Sequence, residues 1–211
     1  MDVVVLAGGR SRRFGRDKLV ISRDGRRQID VVVASLADLG GEVVVAAGGR
    51  SLGVAGTLEV GDEPGLVGPL AGLVAGLVAL GTHGHDEPGE MVAVVAGDLV
   101  APSAELLRAC AEHACADGVS GAVPVVAGRA QPLHAVVAVG LAPALRSSAA
   151  TWGHRLGATL AANGVVTVAE STWRGWAPAA RPELDIDAPK DLDLLVDRRG
   201  PAGTADHPGR C

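Results

Sequence analysis

Strand-length apolar runs alternate with segments of helical period along this chain, and few folds accommodate that order. Val3 to Leu6 (VVVL), Glu42 to Ala47 (EVVVAA) and Met91 to Ala96 (MVAVVA) are continuous apolar or nearly so. Runs of this kind are strands covered on both faces, as in a parallel sheet. Between the first two, Ile29, Val32, Val33, Leu36 and Leu39 recur at helical spacing and stop at Gly40-Gly41. Gly68-Pro69 opens a second helix running to Leu80, with proline in its first turn. Ser103 caps a third that runs to about Cys115. Further on, a short strand is expected near 57–60, a hairpin from 121–127 and 132–139 around Gly128-Arg129, helices at 142–149 and 154–162, a strand at 165–169 and a last helix from Pro189 to about Val196. The alternation predicts an α/β domain: three layers, doubly wound, with a mostly parallel sheet and helices on both faces. Residues 1–197 are expected to form it, and 198–211, rich in Gly, Pro and charge, to be a disordered tail.

The first strand opens directly into Ala7-Gly8-Gly9-Arg10-Ser11-Arg12-Arg13-Phe14-Gly15-Arg16-Asp17-Lys18. A glycine-rich, cationic loop after a buried strand suits polyphosphate. Glycine lets backbone N–H groups approach the oxygens, and arginine and lysine neutralise the charge. The dinucleotide fingerprint G-x-G-x-x-G is absent, and no hydroxyl residue follows Lys18 as a Walker loop requires.

The surrounding composition is acidic, with a net charge of −5 over 211 residues. That argues against a nucleic-acid-coating or membrane-surface protein. No stretch approaches the roughly 18 uninterrupted apolar residues of a membrane span. The apolar start is short, lacks a basic leader and runs into arginines, so no signal peptide is expected. Cys110, Cys115 and Cys211 lack C-x-x-C spacing and read as thiols in a reducing cytoplasm. With one Phe and no Tyr, the core must be built from Val, Leu and Ala.

Two carboxylates are candidates for chemistry. Asp98 ends the apolar run 91–96 and stands at the rim of the expected sheet; the other reading is a turn or cap residue. Asp187 lies in Asp185-Ile186-Asp187 before the last helix, where it is also a natural N-cap. Carboxylates beside a triphosphate call for a cation, and Mg²⁺ is the usual one.

The loop resembles the signature L-A-G-G-x-S-x-R-[MF]-G-x-D-K of nucleotidyltransferases, in particular the molybdenum cofactor guanylyltransferases. The similarity continues in Asp62 followed by Gly68-Pro69-Leu70-Ala71-Gly72, in Asp98, in Gly128-Arg129-Ala130-Gln131-Pro132-Leu133, and in Asp185 to Leu192. It implies a Rossmann-like nucleotidyltransferase fold and transfer of GMP from GTP to the terminal phosphate of molybdopterin, releasing pyrophosphate. It further implies that Leu6, Ala7, Gly8 and Gly9 contact the nucleotide, that Arg13 and Lys18 hold the triphosphate, and that Asp62 helps fix the guanosine. Asp98 would bind Mg²⁺, with Asp187 as a second metal or substrate ligand. Transient partners would be cofactor-delivery proteins or acceptor apoenzymes. The chain departs from the family pattern in three places. Ala46-Ala47-Gly48-Gly49-Arg50 lacks the Asn common after the second strand, the proline of C-D-x-P is displaced to Pro102, and G-x-P-L is missing after Lys18. Cytidylyl transfer, another phosphorylated acceptor and a non-catalytic nucleotide-binding module are the competing readings.

Other residues read more plainly. His83-x-His85-Asp86-Glu87 reads as a solvated loop. His134 is expected either against the second substrate or on a strand surface. Trp152, Trp173 and Trp176 either cover a pterin ring or fill a late core.

Overall fold

The computed structural model describes residues 1–9, 17–23, 25–85 and 89–185. In chain order the strands and helices are β1 (Val3–Leu6), β2 (Ser22–Arg23), β3 (Arg26–Arg27), α1 (Gln28–Ser35), β4 (Val43–Ala46), β5 (Leu58–Val60), α2 (Pro69–Thr82), β6 (Met91–Ala96), α3 (Ala104–Asp117), β7 (Gly121–Val126), β8 (Arg129–Ala130), β9 (His134–Ala138), α4 (Ala142–Trp152), α5 (Leu156–Ala162), β10 (Val165–Val168) and α6 (Glu170–Trp176). Short 3-10 turns occupy Lys18–Val20, Ala37–Leu39 and Val139–Leu141.

The main sheet runs β10-β7-β9-β6-β1-β4-β5, with β8 attached to β7. Pairing is parallel except at β9, which runs against both β6 and β7, and at β8, which runs against β7. Alternation along each strand splits the interior into two cores. Val3, Val5, Val45, Ala93 and Val95 face α1, α3 and α6. Val4, Val44, Val92 and Val94 face α2, α4 and α5. The three-layer, mostly parallel α/β arrangement expected from the sequence is therefore the one adopted.

Helix α2 comes unusually close to the sheet. A Cβ on Gly76 would stand 2.6 Å from Val4 Cγ1, so only glycine seats the helix at this depth. Trp173 is fully buried and its Nε1 donates to Val125 O at 2.8 Å, which places it in the core rather than over a ligand. Trp152 is half exposed. Cys110 and Cys115 are free, and burial pushes the Cys110 thiol up to about 12.

Several elements differ from expectation. The helix of 29–39 ends at Ser35, and Leu36 and Leu39 reach the core through the 3-10 turn closed by Gly40 at φ 71°. The hairpin is more elaborate: β7 first pairs with β8 across Ala127-Gly128, and β9 then inserts between β7 and β6. Helix α6 was not anticipated. The expected last helix and the tail at 198–211 lie outside the described residues. Among the described residues no helix is long and apolar enough to cross a membrane.

Candidate active site

Strands β1, β4, β5 and β6 end along one edge, and backbone bonds stitch their exits together. Ala7 N–H donates to Ala46 O at 2.9 Å, Gly97 N–H to Leu6 O at 3.0 Å, and Ala47 N–H to Val60 O at 3.0 Å. From β9's side, Leu133 O accepts from Ala96 N–H at 2.9 Å. A cavity of about 390 Å³ opens above these exits, lined by Leu6, Gly8, Gly9, Ala46, Asp62, Gly68, Pro69, Gly72, Ala96, Asp98 and Leu133. This is the place where parallel sheets take their ligands.

Asp98 leaves the fully buried β6 and forms an ion pair with Lys18. Lys18 begins a 3-10 turn capped by Asp17, whose Oδ1 accepts from Leu19 N–H at 3.1 Å. The backbone just beyond Asp98 is pinned from two directions. Buried Gln28 donates from Nε2 to Leu99 O at 2.7 Å. Leu99 also pairs with Asp185, and Val100 N–H donates to Leu184 O at 2.8 Å. A carboxylate on so fixed a support can face charge without collapsing onto it.

Asp62 follows β5 and sits among three glycines. A Cβ on Gly8, Gly48 or Gly72 would come within 3.5–3.7 Å of its oxygens. Gly72 is the tightest, because its Cβ would also meet Ala46 Cβ at 3.1 Å and Leu6 Cδ2 at 3.2 Å. The first turn of α2, Gly68-Pro69, forms the adjoining wall. Its positive dipole end therefore faces the cavity.

Of the four residues expected to contact a nucleotide, Leu6, Gly8 and Gly9 line the cavity, whereas Ala7 is completely buried. Both backbone groups of Ala7 are used within the protein: the N–H by Ala46 and the C=O by Arg50 Nη2 at 2.6 Å. Arg50 also forms an ion pair with Asp17. It thus ties Ala7 to Asp17, on either side of residues 10–16. In the sequence Arg50 stands out only beside the position of the missing Asn, and Gln28 carries no local signal, because both act through contacts distant in the chain. Arg13 and Asp187 lie outside the described residues.

His134 corrects both expectations for it. It is 1% exposed, neither at the cavity nor on a surface, and its Nε2 accepts from Ser103 N–H at 2.9 Å. Burial drives its pKa down to about 4, which keeps the ring neutral and Nε2 an acceptor. It fastens β9 to the start of α3.

A family model described as "MobA-like NTP transferase domain" matches residues 3–164. The chain belongs to this family. The match spans β1 through the end of α5 and every described residue lining the cavity. As a MobA-like protein it is an enzyme, a nucleotidyltransferase. A protein of Chloroflexus aggregans named "Probable molybdenum cofactor guanylyltransferase" is 30% identical over 201 residues, which cover 92% of this chain and 93% of that protein. The MobA-like fold recurs in "Molybdopterin-guanine dinucleotide biosynthesis protein A" from Archaeoglobus fulgidus. There the TM-score is 0.73 at 22% identity, covering 93% of this chain and 97% of that one. It recurs again in 2-C-methyl-D-erythritol 4-phosphate cytidylyltransferase from Thermus thermophilus, with a TM-score of 0.61 at 19% identity over 92% and 96% of the two chains.

Proposed function

We propose that this protein is a cytoplasmic guanylyltransferase that moves GMP from GTP onto the terminal phosphate of molybdopterin and releases pyrophosphate. The observation that carries the reading is the Lys18–Asp98 pair at the rim of a cavity walled by Gly8, Gly9 and the first turn of α2. A cation, a carboxylate, exposed loop glycines and a helix N-terminus together suit a nucleoside triphosphate. The name of the Chloroflexus relative supports both the base and the acceptor.

In this reading the main chain around Leu6, Gly8 and Gly9 faces the nucleotide, and Ala7 anchors that loop from inside. Lys18 and Arg13 hold the triphosphate. Asp62, backed by Gly8, Gly48 and Gly72, fixes the guanosine. An oxygen of the molybdopterin phosphate attacks the α-phosphorus of GTP in line, the bond from that phosphorus to the oxygen leading to the β-phosphate breaks, and pyrophosphate leaves. The attacking phosphate is ionised at neutral pH, so no general base is needed. Positioning and charge neutralisation supply the acceleration.

The hard carboxylate oxygens of Asp98 fit Mg²⁺, with Asp187 as a second ligand. When bound, the ion supplies charge neutralisation for the phosphates. Lys18, paired with Asp98, would turn toward a phosphate oxygen as ligands arrive.

The test is pyrophosphate release with each of the four NTPs in Mg²⁺, with and without molybdopterin. Release with GTP alone, and only with molybdopterin, is expected. Asp98→Asn should lower turnover by roughly 10²-fold or more, in the range seen when one preorganised electrostatic group is removed. Release with CTP would overturn the base assignment, and unchanged turnover in Asp98→Asn would overturn the site.

A further inference from the structure

The edge of the sheet opposite the cavity carries a second cluster. Asp2 precedes β1, Glu42 precedes β4 and Glu90 precedes β6. The C-terminal end of α2 brings His83 and His85 onto them. His85 is held there by its own N–H, which donates to Leu80 O at 3.2 Å. The pair that reads as a solvated loop in the sequence is therefore packed against carboxylates.

The contacts around the His85 ring are unusual. Its Nδ1 lies 2.9 Å from Asp2 Oδ2 and 3.8 Å from Glu90 Oε1, while Nε2 lies 3.3 Å from Glu42 Oε2. A neutral imidazole has one N–H and one lone pair, so it cannot donate to carboxylates from both nitrogens. Asp2 sharpens the point. Its side chain is only 4% exposed. Its Oδ1 accepts from Glu42 N–H at 2.8 Å, whereas the buried Oδ2, in ion-pair contact with His85, accepts no well-aligned hydrogen bond among the described residues. A buried carboxylate oxygen without a hydrogen bond is costly, and its common remedies are a water or an ion.

We propose that Asp2, His85 and Glu90 form a binding site for a divalent transition-metal ion of the Zn²⁺ class. One donor atom from each lies within 4.8 Å of the others. Ligands at about 2.0–2.1 Å from a tetrahedral ion stand about 3.3 Å apart, between the two measured Nδ1 contacts. One imidazole with two carboxylates selects Zn²⁺ or its neighbours over Mg²⁺. Glu42 supplies the outer support such sites use. Its Oε2 lies 3.3 Å from His85 Nε2, and its Oε1 lies 3.0 Å from His83 Nδ1. His85 is about a third exposed, which leaves a coordination position facing solvent. The ion would clasp the tail of α2 to the entries of β1 and β6, while the head of the same helix walls the nucleotide cavity.

The probe is Zn²⁺ alone, titrated into the chelator-treated full chain with excess Mg²⁺ present to occupy hard-oxygen sites. A single equivalent should bind at micromolar concentration and raise the melting temperature. His85→Gln and Glu90→Gln should each weaken binding at least about tenfold and remove the melting shift, while His113→Gln, on α3, leaves both unchanged. Co²⁺ should give visible absorption bands that vanish in His85→Gln. No binding to the wild type, or equal binding in His85→Gln, would overturn the site.

Discussion

Arg50 holds both sides of the glycine-rich loop, through the carbonyl of Ala7 and the carboxylate of Asp17. Its partners lie 43 and 33 residues away in sequence. Lysine has no planar fork and cannot serve both at once. Arg50→Ala should therefore lower kcat/KM for the nucleotide by about tenfold, the scale of one charged hydrogen bond, mostly through KM. Arg50→Lys should recover little of it. Steady-state kinetics beside a melting curve checks this. A loss of stability with unchanged KM would make Arg50 a fold residue only. In the sequence Arg50 is an unremarkable charge after two glycines, because its meaning lies entirely in contacts across the fold. Asp98 and Lys18 were legible because local pattern places them: one ends a buried strand, the other closes a glycine-rich loop. Their pairing was not, since nothing local tells which carboxylate a lysine will reach.

Helix α2 shows how an element is specified by what it lacks. Gly72 and Gly76 lie one turn apart on the face toward the sheet, one over Leu6 and Ala46 and the other over Val4. Gly76→Ala gains helix propensity but drives a methyl into Val4, and overpacking should prevail. The expected cost is about 1–3 kcal/mol, read as a lower urea midpoint, with catalysis by the folded fraction intact. A more stable variant would show that α2 can lift without penalty. Elements set by their own residues were readable: continuous apolar runs gave β1, β4 and β6, and Ser103 gave the start of α3, with its Oγ accepting from Leu106 N–H at 3.2 Å. Where tertiary contacts decide, the pattern misled. The valine-rich α1 is short, and its two remaining leucines reach the core by a tighter turn. In α6 a seven-residue stretch containing a glycine is helical because Trp173 docks under β7.

At the scale of the molecule, one sheet serves two cores, so the layers stand or fall together. His134 is buried within this assembly and reports on it. Its pKa, about 4 when folded against an ordinary 6.5, means the unfolded chain takes up its proton first as pH falls. Stability is then full above about pH 6.5 and declines toward pH 4, by at most roughly 3 kcal/mol from this group. Protonation also converts the acceptor of Ser103 N–H into a donor, in the same direction. Urea midpoints between those pH values should fall more steeply for wild type than for His134→Gln, and parallel slopes would exclude His134 as the source. The three-layer α/β form was readable from alternation alone. The reversal of β9 against β7 was readable as a hairpin; its seat beside β6 was not, because nothing local in the sequence says which earlier strand it will meet. The bridge between Leu99 and Asp185 has a consequence of timing. A ribosome delivers every described cavity residue by Leu133, but the segment that braces the exit of β6 emerges some fifty residues later. At about 5–20 residues per second, the nascent cavity waits several seconds without that brace. Formation of the cavity and bracing of its edge are therefore separate events, and the second awaits the segment around Leu184 and Asp185.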